Sequence, residues 1–234
     1  MHLRLLLLIF AAMLPACASR GTAPPRTGGG FAPSQIIKSD IDRVAEAHQR
    51  EVFTNLRRLA EKLYRRNPRE LAKSGQDTVD AGVARIFDVN HGWHFKQLRN
   101  ARDIRAMQLA FREDFEGDRV LAFVVGAGSM VQTAFHDKTE LFLLDDLDAQ
   151  RLYNAARNIE IAVWKLSNAR NKHGELLLLS NEGSGPVINL SFEREFGKMI
   201  ASLDILSKIA ADKSNRTVVK VIQTVATAVF LPVK

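Results

Sequence analysis

The chain has 234 residues, 46% hydrophobic and 25% charged, with a formal net charge of +7 and one cysteine. This composition excludes wholesale disorder, and the lone cysteine excludes an intramolecular disulfide. The basic excess suits anionic surfaces, whereas no nucleic-acid-binding motif is present, so nucleic acid is not an expected partner.

The first residues in chain order fall into three parts. Met1-His2-Leu3-Arg4 carries one fixed positive charge, and residues 5–14 are an uncharged apolar stretch, too short to span a bilayer. Leu14-Pro15-Ala16-Cys17 follows. This string resembles the lipobox of bacterial lipoproteins. The resemblance implies a signal peptide over 1–16, lipid (palmitate among the acyl chains) on Cys17, and a membrane partner reached through that anchor. It also accounts for a single cysteine in an exported chain, which is otherwise a loose thiol. Several acyl chains satisfy the requirement for more than one anchoring signal. Ala18 after the cysteine points to the outer membrane, facing the periplasm. Residues 17–35, rich in Gly, Pro, Ser and Thr, cannot bury enough apolar surface to offset ordering entropy and read as a flexible tether.

Residues 36–234 are expected to form one helical domain. Losing residues 1–16 removes only Arg4 and leaves a charge of +6. Over 39–66, Ile41, Val44, Ala45, Val52, Leu56, Leu59 and Leu63 fall on one helical face, with His48 filling a gap in the stripe. Pro68 ends that helix, and Asn67 is expected to cap the next, with Glu70 three residues on. The corner resembles the turn of a tetratricopeptide repeat, but no second copy follows and no array is expected. Asp77 is read as the cap of a short helix through Val79, Val83, Ile86 and Phe87, and residues 90–94 as a loop. Helical spacing resumes over 98–112, followed by an acidic connector at 113–118.

Residues 120–135 are apolar nearly all round, which places a helix inside a bundle or a membrane. Sixteen residues reach about 24 Å, short of a hydrocarbon core of about 30 Å, so a buried central helix is expected. Asp148 caps a helix through Leu152, Ala155, Ile159, Val163 and Leu166. Residues 175–180 and 186–190 flank a Gly/Ser-rich loop and suggest a small β-hairpin. Residues 191–212 are amphipathic again, and a last helix is expected over about 215–230. The class is mainly α, a bundle of about seven helices.

Candidate chemistry is sparse. His91 and His94 have a ligand-like spacing, with Asp88 and His136-Asp137 the nearest further donors, but a catalytic zinc needs three protein ligands and no metal site is expected. Asp145 and Asp146, near Asp148, are paired carboxylates of the type a cell-wall hydrolase needs, yet acidic residues before a helix start also complement its dipole. Gly126-Ala127-Gly128-Ser129 lacks both the nucleophile-elbow pattern and the strand a dinucleotide loop requires, so no cofactor is expected. Arg58, Lys62, Arg65, Arg66 and Arg69 concentrate positive charge at the first corner, as a solvated face or a docking patch for phosphates and acidic glycans. Residues 143–166 (Leu-Leu-Asp-Asp-Leu-Asp…Leu-Tyr-Asn-Ala-Ala-Arg-Asn-Ile-Glu-Ile-Ala-Val-Trp-Lys-Leu) and Leu176-Leu-Leu-Leu-Ser-Asn181 resemble uncharacterised proteobacterial lipoproteins, which implies an address and no reaction. The expected role is a binding or scaffolding domain in the periplasm, its partner an anionic envelope component or another protein. The alternatives are a cell-wall or lipid hydrolase, and a membrane-perturbing protein using residues 120–135 and 217–231.

Overall fold

The computed structural model describes residues 39–142, 147–182, 188–221, 223–225 and 227–233. Among them are seven α-helices: α1 (Asp40–Arg66), α2 (Pro68–Lys73), α3 (Val79–Phe87), α4 (Asp103–Ala110), α5 (Arg119–Ala134), α6 (Ala149–Asn168) and α7 (Ser191–Ser214), with a 3₁₀ turn at Lys96–Leu98. The body is the mainly helical bundle that the periodicity predicts.

Its axis is α5, all sixteen of whose residues are buried. Helices α1, α2, α4 and α6 pack on it, and α7 packs on α1 and α6. Phe123 of α5 also meets Phe196 of α7 edge to face at 6.0 Å. No helix of the described residues is long and apolar enough to cross a membrane. The α4–α5 contact is close because Gly126 carries no side chain: a methyl there would lie 2.6 Å from the Cα of Met107.

The N-terminus of α5 sits on a buried polar cluster. Asp118 caps it, one carboxylate oxygen accepting the Leu121 N–H at 2.9 Å and the other the Tyr64 hydroxyl at 2.7 Å. Glu70 accepts the Arg119 N–H at 2.7 Å. The Arg119 guanidinium donates to the carbonyls of Ala110, Arg112 and Glu113, satisfying loop backbone that has no ladder of its own. Burial pushes the Asp118 carboxyl up to about 6, against the opposing pull of the Leu121 N–H and the Tyr64 hydroxyl.

Apart from Ile41 and Val44, which belong to the predicted stripe of α1 but stand exposed, the structure differs from expectation at five places. Asn67 stands at the N-cap position of α2 as expected, but its side chain makes no cap hydrogen bond. Its amide instead donates to the carbonyls of Leu63 (2.8 Å) and Leu179 (2.9 Å) and accepts the Leu179 N–H (2.8 Å), so both polar groups of Leu179 are met where a cap would satisfy one N–H. Thr78, not Asp77, caps α3, accepting the Ala81 N–H at 3.1 Å. The helix expected over 98–112 is split, because Arg99 and Asn100 adopt φ of 52° and 55° and two left-handed residues in succession break a right-handed helix. The hairpin expected near 175–190 reduces to two isolated antiparallel bridges, Arg170 with Leu176 and Glu182 with Asn189.

The fifth difference is the tail. No helix forms among the described residues of 215–233. Asn215 at φ 51° closes α7, with Arg216 N–H donating to the Ala211 carbonyl at 3.1 Å, the bond that defines a Schellman end. Val218, Val219, Val221, Thr224, Val225, Thr227 and Val229 are β-branched and weak helix formers. Helix α6 then holds the tail through three amides spaced four residues apart. Gln150 exchanges two hydrogen bonds with Val219. Asn158 exchanges two with Leu231, and Asn154 donates to the Pro232 carbonyl at 2.7 Å.

Two predictions follow from this packing. Gly126→Ala is expected to destabilise the domain by about 3 kcal/mol, because the obstacle is backbone. Gly197→Ala, exposed on α7 with no atom near its added methyl, is expected to stabilise it by about 0.5–1 kcal/mol; urea denaturation reads both. Asp118 carries a folded-state pKa above its unfolded value, so its contribution to stability is full below about pH 4 and is lost as pH rises through about 6. That loss amounts to about 3 kcal/mol at neutral pH. Asp118→Asn, which keeps an oxygen for Leu121 and an N–H₂ for Tyr64, is expected to remove it; parallel stability–pH curves for the two proteins would refute the assignment.

Candidate functional site

On the flank of α1, beside its buried stripe, Gln49, Phe53 and Arg57 follow one another at four-residue spacing. Four-residue steps keep side chains on one helical face. Opposite them stand the end of α3, with Ile86 and Phe87, and the loop carrying His91 and Trp93; together they enclose a groove of about 710 Å³. Its wall is aromatic. Phe53 stacks on Trp93 at 6.0 Å with planes 22° apart, and Phe87 meets Trp93 edge-on at 5.9 Å.

A strained turn delivers Trp93 to this wall. His94 N–H donates to the His91 carbonyl at 3.0 Å, and both residues between, Gly92 (φ 56°) and Trp93 (φ 64°), are left-handed. Glycine adopts that region freely; a tryptophan does so only where packing dictates it. The packing is visible: the indole lies over Gly128 of α5, where a methyl would come within 2.6 Å of the ring.

The rim is polar. Arg57 donates to Asp88 through both terminal guanidinium nitrogens, at 2.5 and 2.8 Å, and lies over the Phe87 ring at 5.6 Å. This fork holds the Asp88 carboxyl below its ordinary range and raises the guanidinium. Gln49 and Gln132 both donate to the Lys138 carbonyl, at 2.7 and 2.9 Å, fixing the turn after α5 against the groove.

The histidines flagged by the sequence part company here. His91 is fully committed: its Nδ1 accepts the Trp93 N–H at 2.9 Å, and its Nε2 lies 2.9 Å from the Ile86 carbonyl. Since a carbonyl only accepts, Nε2 carries the proton and no lone pair remains for a metal or a substrate proton. His94 lines a separate polar cavity. No group of three or more His, Cys, Asp or Glu among the described residues is arranged to hold a metal ion. Asp145, Asp146 and Cys17 lie outside the described residues.

The basic corner carries less free charge than its sequence suggests. Arg58 faces Glu195 at 4.0 Å, Arg65 binds Glu61 at 2.5 Å, and Arg66 binds Glu182 at 3.1 Å. Lys62 donates to the Ser191 carbonyl at 2.8 Å and lies over Phe192. Arg69, exposed, forms no ion pair among the described residues. Arg58 and Lys62 thus tie α1 to α7, Arg66 ties it to the segment at Glu182, and the Arg65–Glu61 pair lies within α1.

Phe53, Phe87 and Trp93 are the residues that sequence reasoning left aside as groove formers. Their signal was the row Gln49-Phe53-Arg57, half a face away from the apolar stripe. The chain matches no protein-family model, and no curated protein or solved structure is significantly similar to it.

Gly128→Ala is expected to displace the Trp93 ring. In a Trp164→Phe background, which leaves Trp93 as the one tryptophan, its emission should shift to the red. The stability cost should be smaller than for Gly126→Ala, because a ring can move where backbone cannot. An unshifted spectrum would contradict the packing described.

Proposed function

We propose that this protein is a lipid-anchored component of a bacterial envelope whose helical body binds a small, largely apolar, planar ligand. The observation that supports binding is the groove: about 710 Å³ lies within the size range of small-molecule sites, about 300–1,000 Å³, and an apolar wall with a few fixed polar groups is their usual make-up. The aromatic faces of Phe53 and Trp93 supply stacking area, and the Arg57–Asp88 fork supplies orientation at the rim. The anchor is Cys17, with the tether of residues 17–35 leading to the body, and the site of action is the periplasmic face of the outer membrane. The lipobox string and the lone cysteine support this address.

Each half has its test. N-phenyl-1-naphthylamine, a neutral aromatic probe, is expected to quench Trp93 by energy transfer in the Trp164→Phe protein. Phe53→Ala should weaken that binding about tenfold, in line with the loss of one stacked aromatic face at about 0.5–1.5 kcal/mol plus its buried area. Equal affinity in both proteins would reject the groove as the binding element. For the anchor, Cys17→Ser is expected to abolish radiolabelled palmitate incorporation and to release the protein from the membrane fraction of the expressing bacterium. Labelling that survives the substitution would reject lipidation at Cys17.

A further inference from the structure

The turn that carries Trp93 into the groove places His94 on another cavity, of about 390 Å³, whose walls also carry Asn100, Arg102, Arg105, Thr133 and Arg151. This cavity is independent of the groove and of the reading given above. Three arginines converge on it, and their partners do not exhaust them. Arg102 binds Asp137 at 2.6 Å through one terminal nitrogen, Nη2. Arg151 reaches Asp148 at 3.5 Å through Nε, and Arg105 is exposed and forms no ion pair among the described residues.

The two carboxylates that line the cavity are turned to other uses. Asp137 is held by Arg102, and Asp103 accepts the Thr133 hydroxyl at 3.1 Å. The backbone here is also unusual: Asn100, Asp103 and Asp137 are left-handed, with φ of 55°, 54° and 58°. Asn and Asp tolerate that region best, but three such residues lining one small cavity mark a wall built by tertiary packing rather than by a regular helix. The Asp103 N–H, donating to Ser129 Oγ at 2.6 Å, ties this wall to α5.

The donor set selects the ligand. Each guanidinium offers a planar fork matched to two oxygens of one anion. A carboxylate has two oxygens and leaves most of these donors idle, whereas a phosphomonoester presents three terminal oxygens in a tetrahedral array and a dinegative charge. The volume admits a phosphoryl group with a small organic remainder. We infer that this cavity binds a phosphomonoester group through Arg102, Arg105 and Arg151, with the Asn100 amide and a ring N–H of His94 as further donors. A soluble phosphate ester and a phosphatidate headgroup present the same chemistry.

The experiment is isothermal titration calorimetry of the full-length chain in a non-ionic detergent. Inorganic phosphate and glycerol phosphate form one arm; phosphatidic acid in mixed micelles of the same detergent, against phosphatidylcholine, forms the other. Arg105→Glu is the diagnostic variant, since Arg105 is exposed and its reversal leaves the core intact, and circular dichroism checks its fold. Lys208→Glu, an equal charge change on the exposed face of α7, controls for net charge. Binding in the first arm, weakened at least about tenfold by Arg105→Glu and unaffected by Lys208→Glu, supports the site with a soluble ligand. The same pattern confined to the second arm supports it with a lipid headgroup. No binding in either arm, or binding that both substitutions weaken equally, overturns it.

Discussion

The fold depends on the close approach of α5 to the elements around it. A helix buried on every side has no polar face to orient it, so its position is set by the shapes it meets. Two glycines supply those shapes. At Gly126 the backbone of Met107 takes the space of a side chain, and at Gly128 the indole of Trp93 does so. The first glycine brings α4 against the bundle axis; the second admits the loop that builds the groove. Core packing and candidate site thus rest on the same helix, two residues apart. A change that fills either space acts on both.

A second regularity runs through the irregular segments. Loops and tail have backbone groups without a helix ladder, and buried groups of this kind need partners. Asparagine and glutamine side chains provide them repeatedly: Asn67 for Leu179, Gln49 and Gln132 for Lys138, and Gln150, Asn154 and Asn158 for the tail. An amide has both a donor and an acceptor, so one side chain can complete both polar groups of a residue, as Asn67, Gln150 and Asn158 do. Arg119 has a related role, collecting the last carbonyl of α4 and two carbonyls of the loop after it beside the buried Asp118. Long stretches without secondary structure are thereby fastened to rigid helices.

These fastenings place the two cavities on either side of a few short turns. The residues 91–94 send His91 and Trp93 to the groove and His94 to the arginine-lined cavity. The end of α5 and the turn after it do the same, Gln132 and Thr139 lining the first and Thr133 and Asp137 the second. Left-handed residues gather here, at Trp93, His136 and Asp137. Strain of this kind persists only where the surroundings over-determine it, and here the surroundings are the buried face of α5 and the flank of α1.

Local patterns carried much of this architecture. The apolar stripe of α1 from Ala45 onward, the break at Pro68, the Asp148 cap and the all-round apolar character of 120–135 are each set by residues within a turn or two of one another, so the chain by itself determined them. Contacts across long separations decided the rest. The sequence over 215–230 has a helical apolar spacing, yet the amides of α6, about seventy residues earlier, bind Val219 and Leu231 in non-helical chain, because β-branched residues give a helix little advantage to defend. Asn67 has the position and chemistry of a cap, but Leu179 offers it two bonds for one. The histidine pair at 91 and 94 is separated by the turn between them, and neither the aromatic groove nor the convergence of Arg102, Arg105 and Arg151 follows from any periodicity. Periodicity encodes which face of a helix is buried; what that face meets, and which polar side chains are drawn across the gap, depends on the free energy of the whole packed arrangement.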